Sequence, residues 1–146
     1  MFKEYWDTCL FISYLNDKPE EKDKVDIIEA FIRNAKKPTS NILNQELRKL
    51  FYVVRHFIKV QTVTPKIADE VSKLRTSYSS LELADAIHMV TASLEDCNIL
   101  YTFNGDATRR RPNDILSFNG KSVVEGKPPL NIKIPQMPLD SQLPLT

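Results

Sequence analysis

The sequence has few of the residues on which several common functional sites depend. Its three glycines all come late in the chain, at Gly105, Gly120 and Gly126, so it has no GxGxxG or Walker-type loop for nucleotide phosphates. Its two cysteines, Cys9 and Cys97, form no CxxC or Cys/His cluster, which argues against a zinc site and a disulfide framework. We expect both to be buried thiols. No apolar run approaches the roughly 18 residues of a membrane-spanning helix.

The charges of the chain are balanced, with 20 Lys and Arg against 19 Asp and Glu. This balance argues against histone-like coating of nucleic acid but leaves a local basic patch open. The 146 residues, 42% of them apolar, suffice for one globular domain with a hydrophobic core. The first seven residues carry acids where a signal peptide would carry an apolar stretch, so the sequence predicts a cytoplasmic protein.

Short apolar runs alternate with helical periods as far as residue 125. Such alternation predicts parallel strands joined by right-handed crossovers, and hence an α/β fold. We expect a three-layer α/β/α sandwich with a central, mainly parallel sheet. The predicted strands are 2–8, 39–43, 60–63, 98–101 and 121–125, and the predicted helices are 9–15, 25–32, 47–58, 65–75 and 83–94.

The composition changes near residue 126. The segment 126–146 holds five of the nine prolines and little periodic hydrophobicity, which predicts an extended arm after a domain of residues 1–125. The arm also carries seven large apolar residues, so we expect it to pack against another surface. The arm could cover a sheet edge or bind a partner protein.

Four acidic residues are predicted to converge at one end of the sheet. Asp7 ends the first strand and Asp106 follows the fourth. Glu46 opens the long third helix, and Asp85 lies in the first turn of a helix that a Ser79-x-x-Glu82 capping box would begin. Two carboxylates about 4 Å apart repel by roughly 4 kcal/mol at an effective dielectric near 20, so such a cluster needs protons or a metal ion. Oxygen ligands suit Mg²⁺ or Mn²⁺, which predicts metal-dependent phosphodiester hydrolysis.

Four local sequences come in the order of a known domain. They are YWDT at 5–8, NQEL at 44–47, LADAIHMVTA at 83–92 and YTFNGD at 101–106, the third being the most specific. Over residues 2–125 the chain resembles a PIN-domain protein of the VapC toxin type. The resemblance implies an endoribonuclease that acts on RNA with Mg²⁺ or Mn²⁺, forms a homodimer and is neutralised by a small cognate antitoxin.

The resemblance also implies roles for the acids. Asp7 and Asp85 would be metal ligands, and Glu46 a catalytic residue that binds the metal or positions the attacking water. At the fourth position the family's Thr-x-Asp places its acid at Asn104, which is an amide here. Two alternatives are open: Asp106 serves as catalytic acid and metal ligand from a shifted loop, or the contact is weakened to the Asn104 amide or to a water.

Other residues border the predicted site. The hydroxyl of Thr102 is a candidate to bond a ligand carboxylate or a phosphate. His88 lies three residues after Asp85 and could reach it along one helix face, although a core or supporting histidine is favoured over a catalytic base. Three consecutive arginines follow the fourth strand and are predicted to bind RNA phosphates, because guanidinium groups donate in pairs and the acids alone would repel RNA. They are Arg109, Arg110 and Arg111.

A second function is open from the sequence. The chain could be a catalytically decayed PIN-like module that binds RNA or a protein partner. The amide at Asn104 favours that alternative, whereas the acids at Asp7, Glu46 and Asp85 favour an enzyme.

Overall fold

One parallel sheet lies at the centre of the fold. The structure, a computed structural model, describes residues 2–10, 19–34, 39–40, 59–103 and 113–136. The order of the strands is β3-β2-β1-β4-β5, and every neighbouring pair is parallel. This confirms the predicted α/β fold with a mainly parallel sheet. The strands are β1 (Glu4–Trp6), β2 (Thr39–Ser40), β3 (Lys59–Val60), β4 (Ile99–Tyr101) and β5 (Asn131–Lys133).

Within the described residues, three α-helices of twelve or thirteen residues accompany the sheet, and each was predicted. They are α1 (Lys22–Asn34), α2 (Pro65–Ser77) and α3 (Leu83–Leu94). The strongly periodic helix predicted at 47–58 falls outside the described residues. In the part of the chain that the structure describes, no helix has both the length and the apolar character needed to cross a bilayer.

The main core lies between the sheet and the pair α2 and α3. Tyr5 of β1 and Leu100 of β4, both fully buried, face this layer. Successive side chains of a strand point to opposite faces, so Trp6 lies on the other side, where its Nε1 donates to Glu4 Oε2 at 3.1 Å. This alternation places the phenol of Tyr5 beneath the helices. Their core residues are Ile67, Val71, Leu74, Ala86, Met89, Val90 and Ala92.

The helix starts differ from one another in how they are capped. Thr64 caps α2: its Oγ1 accepts a hydrogen bond from the backbone N–H of Ile67 at 3.2 Å, and Pro65 occupies the first turn. The capping box predicted for α3 is wrong. Glu82 is the N-cap residue and its side chain makes no capping hydrogen bond, while Ser79 lies in the preceding turn.

The fifth strand lies at Asn131–Lys133, not at 121–125 as predicted. In the predicted segment, Lys121 makes an isolated antiparallel bridge to Leu130. Leu130 and Ile132 are both 2% exposed and belong to the main core. The described part of the predicted arm, residues 126–136, therefore contains a strand that pairs with β4 at the sheet edge. Residues 137–146 lie outside the described part of the chain.

Candidate active site

The carboxyl ends of β1 and β4 bring two predicted site residues together. Trp6 is in register with Tyr101, so Asp7 and Thr102, the next residue of each strand, are neighbours. The backbone N–H of Asp7 donates to the carbonyl of Tyr101 at 2.9 Å. The Thr102 hydroxyl donates to Asp7 Oδ2 at 2.6 Å. Thr102, predicted to bond a ligand carboxylate or a phosphate, thus bonds the carboxylate of Asp7.

Asp7 also begins a helical segment. Its carbonyl accepts from the backbone N–H of Leu10 at 3.0 Å, and its Oδ1 accepts from the backbone N–H of Cys9 at 3.2 Å. Residues 8–10 are helical, so Asp7 occupies an N-cap position, where the backbone N–H groups favour a negative charge.

A buried histidine from α3 completes the surroundings of Asp7. His88 Nε2 lies 2.9 Å from Asp7 Oδ1, and His88 Nδ1 lies 2.6 Å from the Tyr5 hydroxyl. All three residues are at most 2% exposed. His88 was considered from the sequence as a neighbour of Asp85, and the structure instead shows it bonded to Asp7 and Tyr5. Spacing along the helix could not indicate this contact, which depends on how α3 packs over β1.

Asp7 is held in its ionised form despite its burial. Burial by itself raises the pKa of a carboxyl group, since it removes water from the charged form. The charge and hydrogen bond of His88, with the hydrogen bonds of Thr102 and the Cys9 backbone, oppose burial and lower the pKa of Asp7 below its ordinary 3.8. The site therefore carries a fixed negative charge at neutral pH.

Asp85 is the second described acid of the predicted cluster. It is the third residue of α3 and is 7% exposed. Because it lies one turn before His88, it is on the same helix face as the residue that contacts Asp7. Its position in the first turn also places its charge near the positive end of the helix dipole.

Cys9 lies against the same carboxylate, but its thiol is kept neutral. Its Sγ accepts from the backbone N–H of Phe103 at 3.2 Å and lies 3.5 Å from Thr102 Oγ1. Burial and then the charge of Asp7 raise the pKa of the Cys9 thiol to about 12. Since only a thiolate is a strong nucleophile or metal ligand, Cys9 packs in the site without either role.

The donor set of the described residues suits a hard cation. Asp7 and Asp85 offer two buried carboxylates, and oxygen donors of this kind fit Mg²⁺ or Mn²⁺. Within the described residues no three His, Cys, Asp or Glu side chains form a metal cluster. The other predicted site residues lie outside the described part of the chain: Glu46, Asn104, Asp106, Arg109, Arg110 and Arg111.

Comparison with known proteins identifies the family of the fold that carries this site. A search of curated proteins finds no match to this chain. A comparison with protein families matches residues 5–112 to the PIN domain, and this range includes both Asp7 and Asp85. PIN domains form a nuclease superfamily whose members typically depend on divalent metal ions. Because the match covers well over half of the 146 residues, this chain belongs to the PIN-domain family.

Proposed function

We propose that this protein is an endoribonuclease that hydrolyses RNA phosphodiester bonds with Mg²⁺ or Mn²⁺. The buried, ionised carboxylate of Asp7 at the carboxyl end of a central parallel strand carries the proposal. Asp85 supports it as a second buried carboxylate, on the helix face that reaches Asp7 through His88. Membership of a nuclease superfamily makes phosphodiester hydrolysis the chemistry that such a pair serves best.

Each acid has a role in this proposal. Asp7, Asp85 and Asp106 bind the metal ion, and Glu46 either binds it or positions the attacking water. A bound Mg²⁺ or Mn²⁺ would activate the water and stabilise charge on the leaving oxygen. The protein itself keeps Asp7 charged and restrained through groups from separate segments of the chain. Thr102 and Asn104 are assigned supporting roles.

The substrate class follows from the family and from the basic run. PIN nucleases act on RNA. We assign phosphate binding to Arg109–Arg111, because three guanidinium groups would offset the repulsion between the acids and RNA. Replacing all three with alanine is expected to weaken RNA binding and to flatten its salt dependence by up to about two in the log–log slope. Replacing the exposed Lys66 and Lys73 of α2 is the control and should leave the slope unchanged.

We further assign the protein to the toxins of toxin–antitoxin pairs, acting in the cytoplasm as a homodimer and neutralised by a small antitoxin. The support is the order of four short sequences, of which that at 83–92 is the most specific. Co-expression with the product of an adjacent small gene would test this assignment. Growth arrest by this chain alone, relieved by that product, is the expected result.

One observation favours a second function, a decayed module that binds RNA or protein without cleaving it. Both carboxylate oxygens of Asp7 accept hydrogen bonds from within the protein, as they would in a purely structural ion pair. The amide at Asn104, where the family has an acid, also favours this second function. A decayed site is expected to show no thermal stabilisation by millimolar Mn²⁺, whereas a metal site is stabilised in proportion to its occupancy.

Cleavage of labelled transfer and messenger RNA tests the enzyme directly. The purified protein is incubated with Mn²⁺, with Mg²⁺ or with EDTA, alongside the variants Asp7→Asn and Asp85→Asn. We expect metal-dependent cleavage, with at least about a 100-fold loss of rate in each variant, because an amide cannot replace a charged metal ligand. The exposed Asp69 of α2 supplies the matched control, and Asp69→Asn should cleave at the wild-type rate.

Each result decides between the two functions. Cleavage that requires metal and disappears in both site variants supports the nuclease. Equal inactivity of the wild type and the folded variants, without stabilisation by Mn²⁺, would support the decayed module.

A further inference from the structure

Three buried side chains form a continuous chain of hydrogen bonds that ends on Asp7. The Tyr5 hydroxyl lies 2.6 Å from His88 Nδ1, and His88 Nε2 lies 2.9 Å from Asp7 Oδ1. The two rings are inclined at 59° with their centroids 5.6 Å apart. Both nitrogens of His88 are therefore engaged by side chains from β1 and its carboxyl end.

The direction of the hydrogen bond between His88 and Asp7 follows from the charge of Asp7. An ionised carboxylate only accepts, so Nε2 of His88 must carry a proton and donate it to Oδ1. The Tyr5 hydroxyl can either donate or accept, so it can bond the other ring nitrogen, Nδ1, whether or not that nitrogen carries a proton. Asp7 thus fixes the proton on Nε2, and Tyr5 holds the ring so that Nε2 faces Asp7.

We propose that His88 is a positioning residue for the metal-dependent reaction, and that Tyr5 holds its imidazole in the required orientation. The inference rests on the proposed nuclease function, since it assigns His88 to the orientation of a metal-binding carboxylate. His88 acts through Asp7 and does not itself bind the metal ion, because its Nε2 is bonded to that carboxylate.

The geometry explains why a positioning residue is needed here. A carboxylate can rotate about the single bond that joins it to its side chain. Its affinity for a metal ion depends on its being held in one orientation. Thr102 bonds Oδ2 from the end of β4, while His88 bonds Oδ1 from α3. Contacts on both oxygens from two separate elements fix the rotation of the group. Removing the contact from α3 would release one side of it.

The proton on Nε2 is tested without any metal or substrate. The chain has two histidines, His56 and His88, so the variant His56→Gln leaves one imidazole to observe. Nitrogen-15 NMR of this variant at pH 7.5 is expected to show a proton on Nε2. A ring protonated on Nδ1 alone would overturn the inference.

The positioning role is tested by three variants on α3. His88→Leu removes the donor, and His88→Gln retains an amide donor on a side chain of similar reach. Thr91→Val is the control, because the Thr91 hydroxyl is buried and has no hydrogen-bond partner within the described residues. The first readout is the Mn²⁺ concentration that gives half of the maximal thermal stabilisation. The others are kcat and KM for RNA cleavage at saturating Mn²⁺.

For His88→Leu we expect Mn²⁺ affinity to fall by about 10- to 100-fold, as when a partner of a metal ligand is removed. The kcat should fall with it while KM for RNA stays within about two-fold, since His88 is not assigned to RNA binding. His88→Gln should recover most of both losses, and Thr91→Val should match the wild type. Tyr5→Phe, which keeps the ring, should show a smaller loss in the same direction.

The outcomes separate this inference from the proposed function. If the wild type binds Mn²⁺ and cleaves RNA, and His88→Leu does the same with equal constants, the positioning role is overturned and the nuclease stands. If His88→Leu does not fold, the comparison of Tyr5→Phe with Thr91→Val decides, and equal constants would overturn the role. A wild type that binds no Mn²⁺ overturns the proposed function and the positioning role together.

Discussion

At the scale of single residues, the charge state of Asp7 links the site to the stability of the fold. Burial raises the pKa of its carboxyl, but His88, Thr102 and the Cys9 backbone together lower it below its ordinary value of 3.8. A group whose pKa is lower in the folded state stabilises that state above the unfolded pKa. This contribution is complete above about pH 5 and is lost as the pH falls through the folded pKa.

The acid sensitivity of the wild type should therefore exceed that of Asp7→Asn. We expect the free energy of unfolding, measured by urea denaturation, to fall more steeply between pH 5 and pH 3 for the wild type. Asp26→Asn, on α1, is a control for the loss of one carboxyl group elsewhere. Equal slopes for the wild type and Asp7→Asn would contradict the low pKa of Asp7.

The thiol of Cys9 should react slowly in the folded protein. With a pKa of about 12, a fraction of roughly 10⁻⁴ is thiolate at pH 8, about a thousand-fold less than for an ordinary cysteine. In a Cys97→Ala background, which leaves Cys9 as the one thiol, we expect labelling by a disulfide reagent to become fast only in denaturant. Rapid labelling of the native protein would contradict the raised pKa.

The sequence predicted some of these residues and could not predict others. The position of Asp7 at the carboxyl end of the first strand was predicted because it ends a short apolar run, which is a local signal. Its bond to Thr102 spans 95 residues and its contact with His88 spans 81, so each depends on the register of β1 with β4 or the packing of α3. No local pattern encodes such distances.

At the scale of elements, the start of α2 offers a test of local stability. Thr64→Ala removes the oxygen that accepts the backbone N–H of Ile67, and we expect a loss of about 1 kcal/mol in the free energy of unfolding. Thr62→Ala is the control, because Thr62 is exposed and lies outside the helix cap. Urea denaturation measures both, and equal values for the two variants would show that the cap contributes nothing.

The helices were more predictable than the strands for a physical reason. A helix of 12 or 13 residues repeats its apolar positions several times, whereas these strands have two or three residues each. The strand β5 was not predicted, because the prolines on both sides of it indicate an extended arm. The signal was present in Leu130, Ile132 and Ile134, which alternate with the period of a strand.

At the scale of the whole molecule, the sheet requires its last strand. Truncation at residue 126 would remove β5 with two buried side chains, those of Leu130 and Ile132. Burial of two such side chains contributes roughly 3–6 kcal/mol, a large part of the stability of a domain this size. We therefore expect the truncated chain to unfold at much lower urea concentration. A chain ending at residue 136 keeps β5 and is the matched control.

Sedimentation of the same two chains separates stability from assembly. If truncation at residue 126 changed only the oligomeric state and left the unfolding curve as it is, the segment would be a subunit contact and not part of the core.

The form of β5 also bears on aggregation. An edge strand can recruit a strand from another molecule, and proteins oppose this with short strands, prolines and outward charges. This terminal strand of the described sheet has three residues, with Pro128 and Pro129 before it and Pro135 after it. Lys133 is exposed, on the face of the strand opposite the buried Ile132. A second copy approaching this edge would find only a short stretch of backbone to pair with, bounded by prolines and next to a positive charge, so the shape of β5 opposes strand addition between molecules.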